Sequence, residues 1–363
     1  MKIGIVGLPL SGKTTLFNAL TGSVIDTAVF AGGKAEAHHA IVKVPDARVE
    51  KLNEIFQRQK KILATIEYLD LAGLSTTEPQ KSGFSDQFLG QIRLVDAILV
   101  LLRSFRNANI PHPLERIDPP RDMEIIKTEF ILSDLAIVEN RIQRLLKQMR
   151  TQKSDQDVRE LALLERFKNA LESETQLRSL PLTAEEQWLV RGYQFLTLKP
   201  QIIVLNIDES DIRTADLALQ PLHSTARLPK TLLLAISAQI EMEIQQLSDQ
   251  EAAVFRNDLG ITTSAMERLI RTSYDLLDLI SFFTIGDDEV RAWTIQHHTK
   301  APQAAGEVHS DIERGFIRAE VVGFDDFIIR GSLAKCKTDG VLRLEGKEYI
   351  VRDGDIINFR FAI

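Results

Sequence analysis

Apolar residues in the first part of the chain fall in short runs of strand length, separated by stretches of helical spacing. Lys2–Gly7 is an apolar run ending in glycine, and Lys13–Leu20 reads as a helix. Further strand-length runs are Ala40–Val44, Thr65–Leu69, Ala97–Leu102, Gln201–Ile207 and Leu232–Ile236. Helical patterns at Ala47–Gln57, Ser85–Leu94 and Glu241–Leu247 lie between them. A strand, a glycine-rich turn and a helix, followed by strands alternating with helices, predict an α/β protein with a doubly wound, mostly parallel sheet.

The alternation stops between Phe130 and Leu196. Ile131, Leu135, Val138, Ile142, Leu145 and Met149 recur at spacings of 4, 3, 4, 3 and 4, an a/d seam. Leu161, Leu164, Phe167 and Leu171 continue helically after the polar stretch Thr151–Asp157, and Pro181 ends them. A short helix starts at Thr183, with Glu186 three residues on completing a capping-box pattern. The sheet pattern resumes at Lys199, so this region is expected to be a helical insertion; the alternative is helices lying flat on the sheet. The seam could close within one hairpin or between two chains. Past Asp278, short β-like runs alternate with glycine turns at Gly315–Glu320, Gly340–Gly346 and Gly354–Phe359, as in a small β-rich domain. The expected division is 1–129 and 197–277 for the α/β domain, 130–196 for the insertion and 278–363 for the C-terminal domain.

Composition narrows the class. At 363 residues the chain exceeds one domain of roughly 100–200 residues. With 44% hydrophobic and 26% charged residues it is an ordinary globular composition, and no run reaches the ~18 apolar residues of a membrane span. One cysteine, Cys336, rules out an internal disulfide. The N-terminus runs straight into the first strand without the pattern of a signal peptide, so a cytoplasmic location is expected and no membrane partner. A net charge of −7 argues against a wholesale electrostatic grip on nucleic acid, and no DNA partner is expected.

The chemistry is concentrated at Gly7-Leu8-Pro9-Leu10-Ser11-Gly12-Lys13-Thr14, a Walker A loop in its required place after a strand and before a helix. Its glycines allow backbone N–H groups to turn toward phosphates, and the helix N-terminus adds positive potential. Lys13 can neutralise β/γ oxygens, Thr14 can ligate Mg²⁺, and Thr15 follows within the first helical turn. Asp70-Leu71-Ala72-Gly73 ends a strand: Asp70 suits a Mg²⁺ ligand, and the Gly73 N–H can report on the γ-phosphate. Leu74 stands where a Ras-like enzyme carries the glutamine that orients water. Asn206-Ile207-Asp208-Glu209 occupies the place of the GTPase Asn-Lys-x-Asp signature, with Glu209 one methylene longer than the guanine-reading Asp. Ser237-Ala238 ends the next strand at the place of the following base-contacting loop. His38-His39 could approach a γ-phosphate or sit on an edge strand. His297-His298 and His309 form no ligand pattern, and Cys336 between Lys335 and Lys337 could be a thiolate or a packing residue.

These residues together resemble the Obg-like P-loop ATPases of the YchF type. Residues 7–21 follow that family's opening, Asp70–Leu74 and Phe88–Arg93 its switch II region, and Asn206–Glu209 its Asn-Val-x-Glu signature. Arg103-Ser104-Phe105, Asp118–Asp122, Ser237–Glu241, Arg291–Ile295, Ala304–His309 and Asp353-Gly354-Asp355 also look like family segments. The resemblance implies a G domain carrying a coiled-coil arm, a C-terminal TGS domain of β-grasp type, a preference for ATP over GTP, bound Mg²⁺, a hydrophobic residue at the catalytic glutamine position, and association with the ribosome or ribosomal RNA. On it, Lys13 and Gly73 are the expected catalytic residues, and Leu8 to Thr15, Asn206, Ile207, Glu209, Ser237 and Ala238 the nucleotide site.

The chain also departs from that pattern. Val24–Ala40 lacks the usual switch I sequence, with Thr27 the nearest candidate for its Mg²⁺-binding threonine; Leu10 replaces the P-loop asparagine, and Ser75–Gln80 a glycine-rich stretch. From Asp278 on, 11 Lys and Arg face 15 Asp and Glu, so RNA contact there needs a local basic face. The expectation is slow NTP hydrolysis serving a conformational switch. Its rivals are a nucleotide-responsive binding module with negligible hydrolysis, a GTP-specific switch, and, less favoured by the residues, a small-molecule kinase.

Overall fold

The structure is a computed structural model that describes residues 1–22, 38–71, 84–151, 153–261 and 263–362. Thr27, Ala28–Lys34, Gly73, Leu74 and Ser75–Gln80 lie outside the described residues. The chain forms two compact units, one of Met1–Ala40 and Glu67–Met266, the other of Ile41–Ile66 and Glu267–Ile363. The sequence reading keeps 41–66 with the N-terminal α/β domain, whereas its contacts group it with the C-terminal residues.

The first unit opens with β1 (Lys2–Val6) and α1 (Lys13–Thr21). Its sheet continues through β2 (His38–Lys43), β4 (Thr65–Asp70), β5 (Ala97–Arg103), β6 (Gln201–Asn206) and β7 (Thr231–Ile236), in the order β2-β4-β1-β5-β6-β7. The pairs of β1 with β4 and β5, of β5 with β6 and of β6 with β7 are all parallel. Every residue of β5 and β6 is buried, as expected of central strands covered on both faces. Asp86–Arg93 forms α3, capped by the Ser85 hydroxyl, and Phe88 and Ile92 bury against the sheet. The sequence reading places all these strands to within two residues.

The insertion is real, but its first helix begins earlier than its seam. Helix α4 spans Pro119–Gln148, with Asp118 accepting from the Arg121 N–H and two prolines in its first turn. Met123, Ile126 and Phe130 pack into the sheet's core, whereas Ile131, Val138 and Leu145 pack into a separate core with Leu163, Leu164, Phe167 and Leu171 of α5 (Asp155–Glu172). One continuous helix therefore serves two cores, its buried face stepping from Phe130 to the adjacent Ile131, about 100° around the helix. The seam closes within the hairpin. Arg141 grips Glu160 through Nε at 2.8 Å and Nη2 at 2.9 Å across it. The Thr183–Glu186 capping box forms as expected, at the start of the helix Ala184–Val190.

In the second unit α2 (Ala47–Phe56) precedes β3 (Lys60–Ile62), and β8 (Leu279–Ile285), β9 (Glu289–Gln296), β10 (Phe316–Gly323), β11 (Arg343–Glu345) and β12 (Asp355–Phe361) follow. The sheet order is β11-β10-β12-β8-β9-β3, with mixed directions. A helix, Ala301–Val308, covers it through Ala301, Ala304 and Ala305, all fully buried; residues this small let the helix sit close to the strands. Asp353 holds α2 to this sheet: Arg48 donates to it from Nη1 at 2.7 Å, and it accepts the Ser281 N–H at 2.9 Å. Cys336 is fully buried and burial raises its thiol pKa, so the thiolate reading fails and the packing reading stands.

Asp134 of α4 is the polar anchor of the insertion. Fully buried, it accepts from the Leu196 and Thr197 N–H groups at 3.0 and 2.8 Å, from the Thr197 hydroxyl at 2.8 Å and from Arg93 at 2.9 Å. Replacing Asp134→Ala strands a guanidinium and two amides, and chemical denaturation should show a loss of about 3–5 kcal/mol. A loss below about 1 kcal/mol would mean the anchor is dispensable.

Candidate functional site

The sheet register brings the chemistry to one edge. Ile5 pairs with Asp70, Val6 with Val100, Arg103 with Asn206, and Asn206 with Ile236, so the C-terminal ends of the parallel strands lie side by side. That edge of an open α/β sheet is where ligands bind. The loop after β1 curls there before α1 begins. Leu10 and Gly12 adopt φ of 62° and 94°, both in the left-handed region. A side chain at Gly12 would also put its Cβ 2.4 Å from Asn206 Nδ2, so the position requires glycine on two counts. Leu8 and Ser11 are buried and Leu10 is exposed; Thr15 stands half-buried in the first turn of α1.

Asn206 joins three loops. Its Nδ2 donates to the Ser11 carbonyl at 3.0 Å, and its Oδ1 accepts the Ala238 N–H at 3.1 Å. Its own carbonyl accepts from the Ser104 and Phe105 N–H groups at 2.8 and 3.1 Å. Ile207 is buried and its N–H reaches the Ile236 carbonyl at 2.9 Å. Ser237 caps the helix Ala238–Gln245 by position, and Glu209 projects, exposed, at the start of a short 3₁₀ turn.

Lys13 donates to the carbonyls of Gly7 at 3.0 Å and Leu8 at 2.9 Å. Desolvation lowers its pKa to about 8, partly offset by the charge of Asp70. The same desolvation raises the Asp70 pKa, against the pull of Lys13, His38 and the Thr14 hydroxyl. Thr14 Oγ1 donates to Asp70 Oδ2 at 3.4 Å, while Asp70 Oδ1 and Ser11 Oγ are buried with no hydrogen-bond partner among the described residues. A hydroxyl and a carboxylate meeting at a helix N-terminus, with one carboxylate oxygen unsatisfied, are the donor set that Mg²⁺ takes alongside water and phosphate oxygens. The residues therefore fit the ion.

Two residues quoted only as a family segment also belong here. The ring of Phe105 comes within 3.8 Å of the Cβ position at Gly12, which puts it beside the P-loop. Arg103 is buried, lies 4.5 Å from the Phe105 ring centre, and donates to the carbonyls of Phe105, Ile110 and Pro111, fixing the loop that carries that ring. An aromatic two residues past the end of a buried strand was the available signal. His39 pairs with Glu67 at 2.9 Å on the sheet edge, in line with the edge-strand alternative, and His38 lies 6.2 Å from the Phe17 ring.

Because Asn206 uses both ends of its amide, Asn206→Ala should leave the Ser11 carbonyl and the Ala238 N–H unpaired and lower stability by about 1–3 kcal/mol. A fluorescent-nucleotide titration of the same variant should show weakened binding; unchanged affinity would show that the P-loop keeps its shape without the bridge.

Two family models match the chain. Residues 2–158 match the one described as "50S ribosome-binding GTPase", and residues 279–362 match the YchF GTPase C-terminal model, described as "Protein of unknown function (DUF933)". The "Ribosome-binding ATPase YchF" of Bacillus subtilis (strain 168) is 41% identical over 100% of both chains. Its counterpart in Escherichia coli O157:H7 is 40% identical over 100% of this chain and 99% of its own. Among solved structures, the YchF GTPase of Schizosaccharomyces pombe superimposes with a TM-score of 0.88 at 32% identity, covering 99% of this chain and 97% of that one. With that identity sustained from end to end, and a P-loop GTPase fold built on the same plan, the chain belongs to the YchF family.

Proposed function

We propose that this protein is a Mg²⁺-dependent NTP hydrolase that prefers ATP to GTP and works as a slow conformational switch on the ribosome. The observation that carries the catalytic half is the meeting of Lys13, Thr14 and the half-satisfied Asp70 at the P-loop. Lys13 exchanges its two loop carbonyls for β/γ oxygens, and the loop N–H groups hold the phosphates. Thr14 and Asp70 would hold Mg²⁺, which neutralises charge developing on the phosphoryl oxygens. Gly73 is read as the γ-phosphate sensor.

On the base side, a guanine-reading carboxylate must accept two N–H groups in one plane. Glu209 is longer and exposed, while the Phe105 ring beside the P-loop offers a stacking face indifferent to that pattern. The ring serves either base, and the longer Glu209, a poorer match to guanine, is what favours adenine. Relatives described as ribosome-binding ATPases support both the base and the partner. In this reading, 1–129 and 197–277 serve as the G domain, 130–196 as its coiled-coil arm and 278–363 as a TGS domain, the last with β3 on its sheet edge.

Leu10, exposed in the P-loop where potassium-assisted GTPases carry asparagine, favours a second reading, a nucleotide-responsive binder with negligible turnover. Single-turnover phosphate release, with and without ribosomes and K⁺, separates the two: release that rises with ribosomes is expected, and none in any condition would leave the binding module. In competition titrations ATP should displace a fluorescent nucleotide better than GTP, and Lys13→Ala should abolish both. GTP binding about tenfold tighter than ATP, or 1.4 kcal/mol, would overturn the base assignment.

A further inference from the structure

A second cationic site lies in the first unit, away from the P-loop. A cleft of about 270 Å³ opens where the return of the helical insertion meets the start of β7. Arg178, Arg191, Lys199 and Lys230 line it, and no carboxylate does. Phe195 and Leu198 supply part of its apolar wall. Four cations around so small a space repel one another unless something negative joins them.

Arg178 sharpens the point. The residue is buried, with Nε donating to the Thr197 carbonyl at 3.2 Å and Nη1 to Gln201 Oε1 at 2.6 Å. Its Nη2 is buried and has no hydrogen-bond partner among the described residues, and neither has Gln201 Nε2. No carboxylate among the described residues forms an ion pair with Arg178. The charge that reaches it, Asp134, already has its oxygens occupied by Arg93, Leu196 and Thr197. A buried guanidinium without a counter-ion is costly, and proteins pair such groups. Lys199 is buried as well, its ammonium donating to the Val95 carbonyl at 2.6 Å and Gln194 Oε1 at 3.1 Å. At the exposed side, the Arg191 guanidinium stacks 4.5 Å over the Trp188 ring, which holds the fork in place.

We propose that this cleft binds a small phosphate monoester, its dianionic head among Arg178, Lys199, Arg191 and Lys230 and its body against Phe195 and Leu198. Two or more negative charges match four cations better than a single carboxylate does, and the Arg191 fork suits phosphate geometry, with Arg178 adding its one remaining donor nitrogen. The volume sits just below the roughly 300–1,000 Å³ of drug-sized sites, which suits a phosphate with a short body. Nothing in this site draws on the P-loop, so it stands independently of the hydrolase reading.

The test is calorimetric titration of the full chain with phenyl phosphate, in a Lys13→Ala background that removes the P-loop lysine. Inorganic phosphate and phenol serve as head-only and body-only probes. The expected result is one site for phenyl phosphate, weaker binding of inorganic phosphate and none of phenol. Arg191→Ala with Lys230→Ala, both on exposed side chains, should weaken phenyl phosphate by about tenfold or more while leaving the probe-free melting temperature unchanged. Arg178→Gln should remove binding; because it also gives up the buried hydrogen bonds to the Thr197 carbonyl and Gln201 Oε1, circular dichroism first establishes that this variant is folded. Absence of binding in the Lys13→Ala background, or binding untouched by the double substitution, would overturn the proposal.

Discussion

The geometry of the P-loop rests on one side-chain amide. Asn206 holds the Ser11 carbonyl with its nitrogen and the Ala238 N–H with its oxygen, and its backbone carbonyl takes the N–H groups of Ser104 and Phe105. The loops after β1, β5, β6 and β7 thereby share one residue. The left-handed turn at Gly12 is fitted to it, since no Cβ has room beside Nδ2. The segments proposed to hold the phosphates and the base, nearly two hundred positions apart in sequence, are in this way built as a single surface.

Charge within that surface is poised rather than satisfied. Lys13 and Asp70 both pay for burial, each shifted toward its neutral form and each partly held charged by the other. Lys13 rests on carbonyls of its own loop, and one Asp70 oxygen has no partner among the described residues. Phosphates and a divalent cation would complete such a set. A site complete without ligand would have less to gain from binding one.

Much of this was legible in the chain. Lys13, Thr14 and Asp70 follow from spacing, because a P-loop needs a strand before it and an acid at a neighbouring strand's end. Asn206 was legible as a position but not as a bridge, since its partners come from loops far away in sequence. Strand β3 was missed because Lys60-Lys61-Ile62 has neither the length nor the alternation of a strand; its pairing to β9 supplies what its sequence lacks. The start of α4 was missed because the Ile131–Met149 seam begins only where the helix turns a second face to the hairpin, while Met123, Ile126 and Phe130 lie on the neighbouring face and pack into the sheet's core. Arg178 gave no signal at all, being one arginine among many until burial set it apart.

The central claim is that these loops form one preassembled site for a Mg²⁺-bound adenine nucleotide. A crystal structure with a non-hydrolysable ATP analogue and Mg²⁺ tests it most directly. The account predicts that the Asn206 bridge is unchanged, that Lys13 Nζ has left the Gly7 and Leu8 carbonyls for phosphate oxygens, that Thr14 and Asp70 face the metal, and that adenine lies against Phe105. A rebuilt Asn206 bridge, or a base bound away from Phe105, would contradict it.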